Sequence, residues 1–345
     1  MNDPLDIEQP GVLAAYLRAA GRIAADEEPQ VTRLSGGVSN RTLLVERPDG
    51  ESWVVKQALP KLRVAVDWFS DPQRIEREAL ALRWLAELAP AGSVPALVFL
   101  DAERHILAMQ AVPSPHENWK ERLLAGRLHA PEMLQFADWL AQVHRRASER
   151  REELAVEFAD WSYFESLRLE PYYAYTAEQV PAAAAFLRKL IAATRRRRDT
   201  LVHGDYSPKN VLVHAGRLVL LDFEVAHFGD AAFDLGFSLA HLLSKGHYAP
   251  SDVTWEAAAT DYWRRYCQQL GNVPWADGLE QRVVRHTLAC LLARVAGRSP
   301  LEYLDAAARR RQQAVVLKLL ARKPRNVPAL ISDFLRKVTV RRADH

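Results

Sequence analysis

"LVHGDYSPKNVLV", residues 201–213, is an apolar run entering His-Gly-Asp, a polar turn, an Asn and a second apolar run. It sets one carboxylate, Asp205, and one carboxamide, Asn210, on a loop between two buried strands. Loops held by rigid strands commonly carry chemistry, although Asp and Asn also serve turns for backbone reasons alone. The stretch that follows, "RLVLLDFEVAHFGDAAFDLGF" (217–237), narrows the choice. Asp222 comes directly after the apolar run Leu218 to Leu221, so it projects from a strand end, with Glu224 close behind. The short turn "AGR" between "VLVH" and "LVLL" predicts a hairpin that brings Asn210 near Asp222. A carboxylate and a carboxamide at that corner are hard oxygen donors suited to Mg²⁺. Asp205 is then displaced from the metal and can orient a substrate hydroxyl.

Two earlier segments bear on the same chemistry. In "DPQRIEREALALRWLAEL" (71–88) the residues Ile75, Ala79, Leu82 and Leu85 form an apolar stripe at helical spacing. Glu78 lies on that stripe, opposite Glu76, Arg83 and Glu87. An inward carboxylate is costly unless paired. Its natural partner is Lys56, which shares the Val54 and Ala58 face of the preceding strand. Two plainer readings stand beside this one: a Glu at the stripe's edge, and a Lys of the kind that edge strands often carry. "LSGGVSN" (34–40) likewise admits two readings. It fits an ordinary hairpin turn. It also fits a phosphate-approaching loop in which Gly36 and Gly37 expose N–H groups and Ser39 and Asn40 add donors.

Around these segments the first third reads as strands about one helix. "VTRLSGGVSNRTLLVE" spans two strands and "SWVVKQAL" a third, and "VPALVFLD" with "HILAMQAV" completes an antiparallel sheet. "AVPSP" (111–115) has the composition of a linker. After it helical spacing dominates, as in Met133, Phe136, Leu140 and Val143, or Val284, Leu288, Leu291 and Val295. Only residues 200–222 interrupt with short strands. The expected fold is α+β: a small antiparallel lobe over 1–112 and a larger, mostly helical lobe over 113–345.

A chain of 345 residues suits two such lobes. With 46 basic against 43 acidic residues the net charge is +3, too small an excess to imply nucleic acid or anionic lipid. The cysteines Cys267 and Cys290 make no disulfide framework, which suits a reducing compartment. "MNDPLDIEQP" is acidic and polar, unlike a secretory signal. No stretch approaches the ~20 apolar residues of a membrane span. The expected location is cytoplasmic.

"HGDYSPKNVLV" followed by "LLDFEVAHFGDAAFDLGF" resembles the aminoglycoside phosphotransferase and choline kinase superfamily, relatives of the protein kinases. The resemblance covers roughly residues 30–300. It implies a bilobal kinase fold with ATP between the lobes. It further implies that Lys56 holds the α- and β-phosphates, braced by Glu78, and that Asp205 is the catalytic carboxylate. Asn210 and Asp222 are then the Mg²⁺ ligands, and Glu224 serves a second metal or the substrate. Backbone groups of Gln110, Ala111 and Val112 correspond to the adenine hinge. In such chemistry the protein mainly positions groups and neutralises charge. His203 fixes the loop, and Asp234, at a helix start, satisfies loop N–H groups.

"LDFEVAHFGDAAFDLGFSLAHLL" and "LLARVAGRSPLEYL" are similar to methylthioribose kinases. Those usually carry an Arg pair where this chain reads Ala293-Arg294, and they commonly lack the Asn present here as Asn210. The substrate is therefore not carried over, only a small hydroxylated acceptor. Arg294 and Trp119, the latter in "NWKERLLAG", are the candidate acceptor contacts; a solvated, amphipathic helix start is the other reading of that segment. "DWSYFESLRLEPYYAY" (160–175) is aromatic-rich and suits either a ligand cap or core. "TRRRRD" (194–199) reads as a solvated helix end rather than an RNA contact. A homodimer stays open. The alternative function is a nucleotide-binding regulatory or scaffold module without transfer activity.

Overall fold

Residues 5–34, 37–64, 67–249 and 254–339 are described by a computed structural model. Gly36 lies outside these described residues. Trp53 and Val55 of strand β3 (Ser52–Ala58) point to one side of a sheet, as their alternation requires, and Val54, Lys56 and Ala58 to the other. Strands β1 (Gln30–Arg33), β2 (Asn40–Glu46), β3, β4 (Leu97–Asp101) and β5 (Ile106–Gln110) form one antiparallel sheet in the order β1-β2-β3-β5-β4. Leu43, Val45, Trp53, Val55, Phe99, Ile106 and Ala108 bury against helix α1 (Val12–Ala19) through its Leu13, Tyr16 and Leu17. The sequence pattern pointed to one helix here; α1 is a second. It lies before the first strand signal, and its eight residues cover the sheet face opposite Lys56. Helix α2 (Arg74–Leu88) carries the expected stripe, with Ile75, Ala79, Leu82 and Leu85 all buried.

The chain divides into two compact units, Met1–Glu87 with Val94–Ser114, and Leu88–Ser93 with Pro115–His345. The second unit is largely helical: α3 (Trp119–Leu124), α4 (Ala130–Glu149), α5 (Arg151–Glu157), α6 (Ser162–Phe164), α7 (Tyr175–Gln179), α8 (Pro181–Thr194), α9 (Ala232–Tyr248), α10 (Trp255–Leu270), α11 (Leu279–Ala296), α12 (Ala306–Arg322) and α13 (Val327–Thr339). Residues Glu165–Ala174, with Pro171 inside, form a π-helix between α6 and α7. Helix α9 is buried nearly throughout and packs so tightly on α11 that a Cβ at Gly236 would lie 2.4 Å from that of His286.

Short strands cross this helical unit. β6 (His116–Asn118), β8 (Val211–His214) and β9 (Arg217–Leu220) form one sheet, and β7 (Thr200–Val202) pairs with β10 (His227–Gly229). The expected hairpin is β8–β9. His214 pairs with Arg217, leaving Ala215 and Gly216 as a two-residue turn with φ of 47° and 74°. Positive φ at both central residues is what a turn matching strand twist demands. Cys267 and Cys290 are both free thiols, and no helix of the described residues is long and apolar enough to cross a membrane.

Candidate active site

The β8–β9 register explains how two distant sequence positions meet. Val211 pairs with Leu220, and one step further out the Leu221 N–H donates to the Asn210 carbonyl at 2.9 Å. Asp222 is therefore the next residue beyond Asn210's own backbone contact. It holds φ of 71°, in the left-handed region that Asp and Asn tolerate better than most residues.

On the other arm, Asn210 Nδ2 donates to Asp205 Oδ2 at 2.7 Å and to the Asp205 carbonyl at 3.1 Å. With its amide N–H groups directed at Asp205, the side-chain oxygen of Asn210 turns away from that carboxylate. Arg168, from the π-helix, grips the same loop. Its Nη2 lies 3.0 Å from Asp205 Oδ2, and its Nε donates to the Gly204 carbonyl at 2.7 Å. Burial alone would make the Arg168 guanidinium easier to deprotonate, but Asp205, Tyr172, Glu224 and Asp222 more than offset that and hold it charged. Asp205, Asp222 and Glu224 thus act on a common cation. Arg168 was missed from sequence; its one signal is that it is the only basic residue in the aromatic stretch 160–175. A π-helix at such a position is a recurrent mark of functional sites.

The backbone under Asp205 is fixed from below. Asp234, fully buried in the first turn of α9, accepts the His203 N–H at 2.7 Å and the Gly204 N–H at 2.9 Å. His203 Nδ1 in turn accepts the Asp205 N–H at 3.2 Å. Burial lowers the imidazole's proton affinity beyond what the surrounding carboxylates restore, which keeps His203 neutral. Gly204 is required: at φ of 79°, a Cβ there would lie 2.9 Å from Val225 Cγ1 and from its carbonyl oxygen.

Asp234→Ala should therefore destabilise the protein by about 2–6 kcal/mol, since it strands two buried N–H donors at ~1–3 kcal/mol each. Urea unfolding checks this. Burial would raise the Asp234 carboxyl, but the His144 hydrogen bond and charge outweigh it and leave it below its ordinary value. A depressed acid stabilises the fold above its unfolded pKa, and that contribution is lost as pH falls through the folded value. The Ala variant should accordingly show less acid-dependent loss of stability below pH ~4 than the parent.

In the first unit, Lys56 Nζ lies 2.7 Å from Glu78 Oε1, with Glu78 fully buried. The strand face and the helix stripe thus meet through this pair. Ser39 and Asn40 are both buried, with Asn40 Nδ2 donating to Ser39 Oγ at 3.1 Å, and Gly37 is exposed. Arg74, at the start of α2 and wholly buried, donates to the carbonyls of Ser39, Leu59, Ser70 and Asp71, tying this loop to the helix. No local sequence signal marked it.

At the end of β5 the N–H groups of Gln110 and Ala111 donate to Ala96 and Ser52 carbonyls at 2.9 and 2.8 Å. Sheet pairing thus uses the N–H groups of the first two of the three residues matched to the hinge.

Arg294 is buried on α11, where Nη1 donates to the Tyr172 hydroxyl at 3.2 Å and to the Ser299 carbonyl. Trp119 requires a correction. It is fully buried, its indole N–H donates to Glu132 Oε2 at 2.8 Å, and its ring packs on Phe136, so it is a core residue rather than part of a solvated helix start. The basic run lies at the surface, with Arg195 and Arg196 exposed and Arg197 and Arg198 half-buried. Arg195 pairs with Glu165 at 2.7 Å, and Arg198 stacks on Trp161 with its guanidinium carbon 3.8 Å from the ring centroid.

An antiparallel sheet unit followed by a helical unit, with the loops after β7 and β9 bearing carboxylates, is the build of a kinase-like phosphotransferase. A family model described as "Phosphotransferase enzyme family" (APH) matches residues 30–279, and this chain belongs to that family. It is 28% identical over 256 residues to methylthioribose kinase of Yersinia enterocolitica, an alignment covering 66% of this chain and 63% of that one. The chain thus spans less than two thirds of that relative's length. The fold is that of choline kinase from Cryptosporidium parvum (TM-score 0.57, 11% identity, 93% of this chain and 99% of that one). It is also that of amicoumacin kinase hAmiN, determined with AMP-PNP, Ca²⁺ and Ami (TM-score 0.53, 14% identity, 85% and 88%).

Proposed function

We propose that this chain transfers the γ-phosphoryl group of ATP to a hydroxyl of a small molecule, with Mg²⁺ as cofactor and Asp205 as the catalytic carboxylate. The observation that carries this reading is the clamp on Asp205. Arg168 and Asn210 both engage Oδ2, which leaves Oδ1 to accept the acceptor hydroxyl and aim its oxygen at phosphorus. In phosphoryl transfer, orienting the nucleophile and stabilising charge are most of what a protein contributes. Asn210, Asp222 and Glu224 fit a hard cation: the Asn210 amide nitrogen is taken by Asp205, which leaves its oxygen as a donor, and Asp222 follows on the same hairpin. Mg²⁺ bound there would neutralise charge on the phosphate oxygens.

The first unit would bind the nucleotide. Lys56, oriented by Glu78, would meet the phosphates, with the loop of Gly36, Gly37, Ser39 and Asn40 beside them. Of the hinge residues, Val112 would offer the N–H to adenine, with carbonyls from Gln110 and Ala111. The second unit would supply catalysis and the acceptor contacts, among them Arg294. His203 and Asp234 are positioning residues that hold the Asp205 backbone. Amicoumacin kinase hAmiN, which shares the fold, was determined with AMP-PNP and Ca²⁺, which supports a nucleotide and a divalent cation as cofactors here.

The protein incubated with ATP, Mg²⁺ and a panel of hydroxylated metabolites should release ADP with at least one of them. Nucleotide binding without ADP release from any would instead support a regulatory module.

A further inference from the structure

One buried cation in the second unit has no role in the chemistry above. Lys245 lies on α9, 1% exposed, and among the described residues its Nζ makes no hydrogen bond. Nζ sits 5.5 Å from the ring centroid of Tyr303, whose hydroxyl is also buried and unbonded. One turn earlier on α9 is His241, buried against Phe237 with ring centroids 4.8 Å apart. From α11 comes Arg294, its guanidinium 5.6 Å from the Tyr172 centroid and its Nε buried without a partner. From α3 comes Lys120, which pairs with Glu302. Two buried cations, Lys245 and Arg294, therefore lie within electrostatic range of Lys120 and Glu302, a pair that reaches solvent.

Burial, then Lys120 and Arg294, push the Lys245 ammonium down to about 7, against the pull of Glu302. Burial, then Arg294, Lys245, Lys209 and Lys120, lower His241 in the same way. A buried ammonium with neither counter-ion nor hydrogen bond is unfavourable unless something else supplies the negative charge.

This group adjoins the proposed reaction centre through shared rings. Arg168, paired with Asp205, lies over Tyr172 and Phe237 at 5.5 and 5.8 Å. Tyr172 and Phe237 stack with centroids 5.8 Å apart. Tyr172 is also the ring and hydroxyl that Arg294 engages, and Phe237 the ring that His241 engages.

We infer that the acceptor phosphorylated at Asp205 carries an oxyanion, a carboxylate or a phosphate, which docks against Lys245, Arg294 and His241. The inference rests on the kinase reading above. It also opposes cationic acceptors: a choline-like ammonium would meet the positive charge of Lys245 and Arg294, and Glu302 is already paired with Lys120.

The full chain is tested with D-glycerate and D-gluconate as carboxylate probes and D-ribose 5-phosphate and glycerol 3-phosphate as phosphate probes. D-ribose, choline and kanamycin serve as neutral and cationic probes. Melting temperature with AMP-PNP and Mg²⁺ reports binding, and ADP release from ATP reports transfer. At least one anionic probe should raise the melting temperature and release ADP, and whether carboxylates or phosphates do so identifies the oxyanion. Lys245→Met should weaken that binding by roughly 100-fold, as expected for removing one partner of a buried charged contact. The same variant should leave the AMP-PNP shift unchanged. It should also melt above the parent without probe, since it removes an uncompensated buried charge, so its folding is checked directly. Unchanged affinity of Lys245→Met for the anion overturns the inference, as does no response to any anionic probe. ADP release with only neutral or cationic probes overturns it while leaving the kinase reading intact. Lys245-dependent anion binding without ADP release supports the anion site and counts against the kinase.

Discussion

Asp205→Asn should lower kcat by roughly 10²- to 10⁴-fold, the range expected when a positioned proton acceptor is removed. The substitution keeps size and shape but takes away the charge that Arg168 neutralises and the Oδ1 basicity that an acceptor hydroxyl would use. The loop itself should survive, because its backbone hangs from other groups: Asp234 accepts the N–H of His203 and of Gly204, and His203 accepts the N–H of residue 205. Nucleotide affinity should therefore stay within about two-fold of the parent, since Lys56 and Glu78 are untouched. Steady-state kinetics paired with AMP-PNP calorimetry measures both quantities. A variant turning over at the parental rate would remove Asp205 from the reaction.

Asp222→Asn should act on the other half of the mechanism. Asn is the right replacement because residue 222 sits at φ of 71°; Ala would add backbone strain there, whereas Asn tolerates the left-handed region. What the change removes is one negative charge from the proposed metal site. Binding of a hard divalent cation depends on ligand charge, so AMP-PNP affinity in Mg²⁺ should fall by roughly 100-fold or more. In EDTA, parent and variant should bind AMP-PNP alike. Calorimetry with and without Mg²⁺ separates the two cases, and equal affinity in Mg²⁺ would exclude Asp222 as a ligand.

Much of this was legible along the chain because it depends on short-range periodicity. Glu78 could be paired with Lys56 in advance: a helix stripe at 3.6-residue spacing and a strand face at period two each identify an inward position. The β8–β9 hairpin was equally local, since the short turn "AGR" between two apolar runs leaves little choice of partner. Other features left no such mark. Trp119 followed a linker and had polar neighbours, which suited a site-lining residue, but Glu132 on the next helix takes its indole N–H and seals it in the core. Arg74 reads as one more charge at a helix start, although four backbone carbonyls receive it. Arg168 reads as an isolated base among aromatics until the π-helix turns it onto Gly204 and Asp205.

By itself, then, the order of residues determined which side chains face inward on each strand and helix, where the two hairpin arms meet, and the family to which the chain belongs. Tertiary structure alone decided which buried charges find partners. Arg168 reaches Asp205 across 37 positions, whereas Lys245 Nζ is buried with no hydrogen-bond acceptor among the described residues. Local propensity acts over a few residues, but the energy of a buried charge depends on every group that packing brings within a few ångströms. That is why such pairings appear only once the helices are in place.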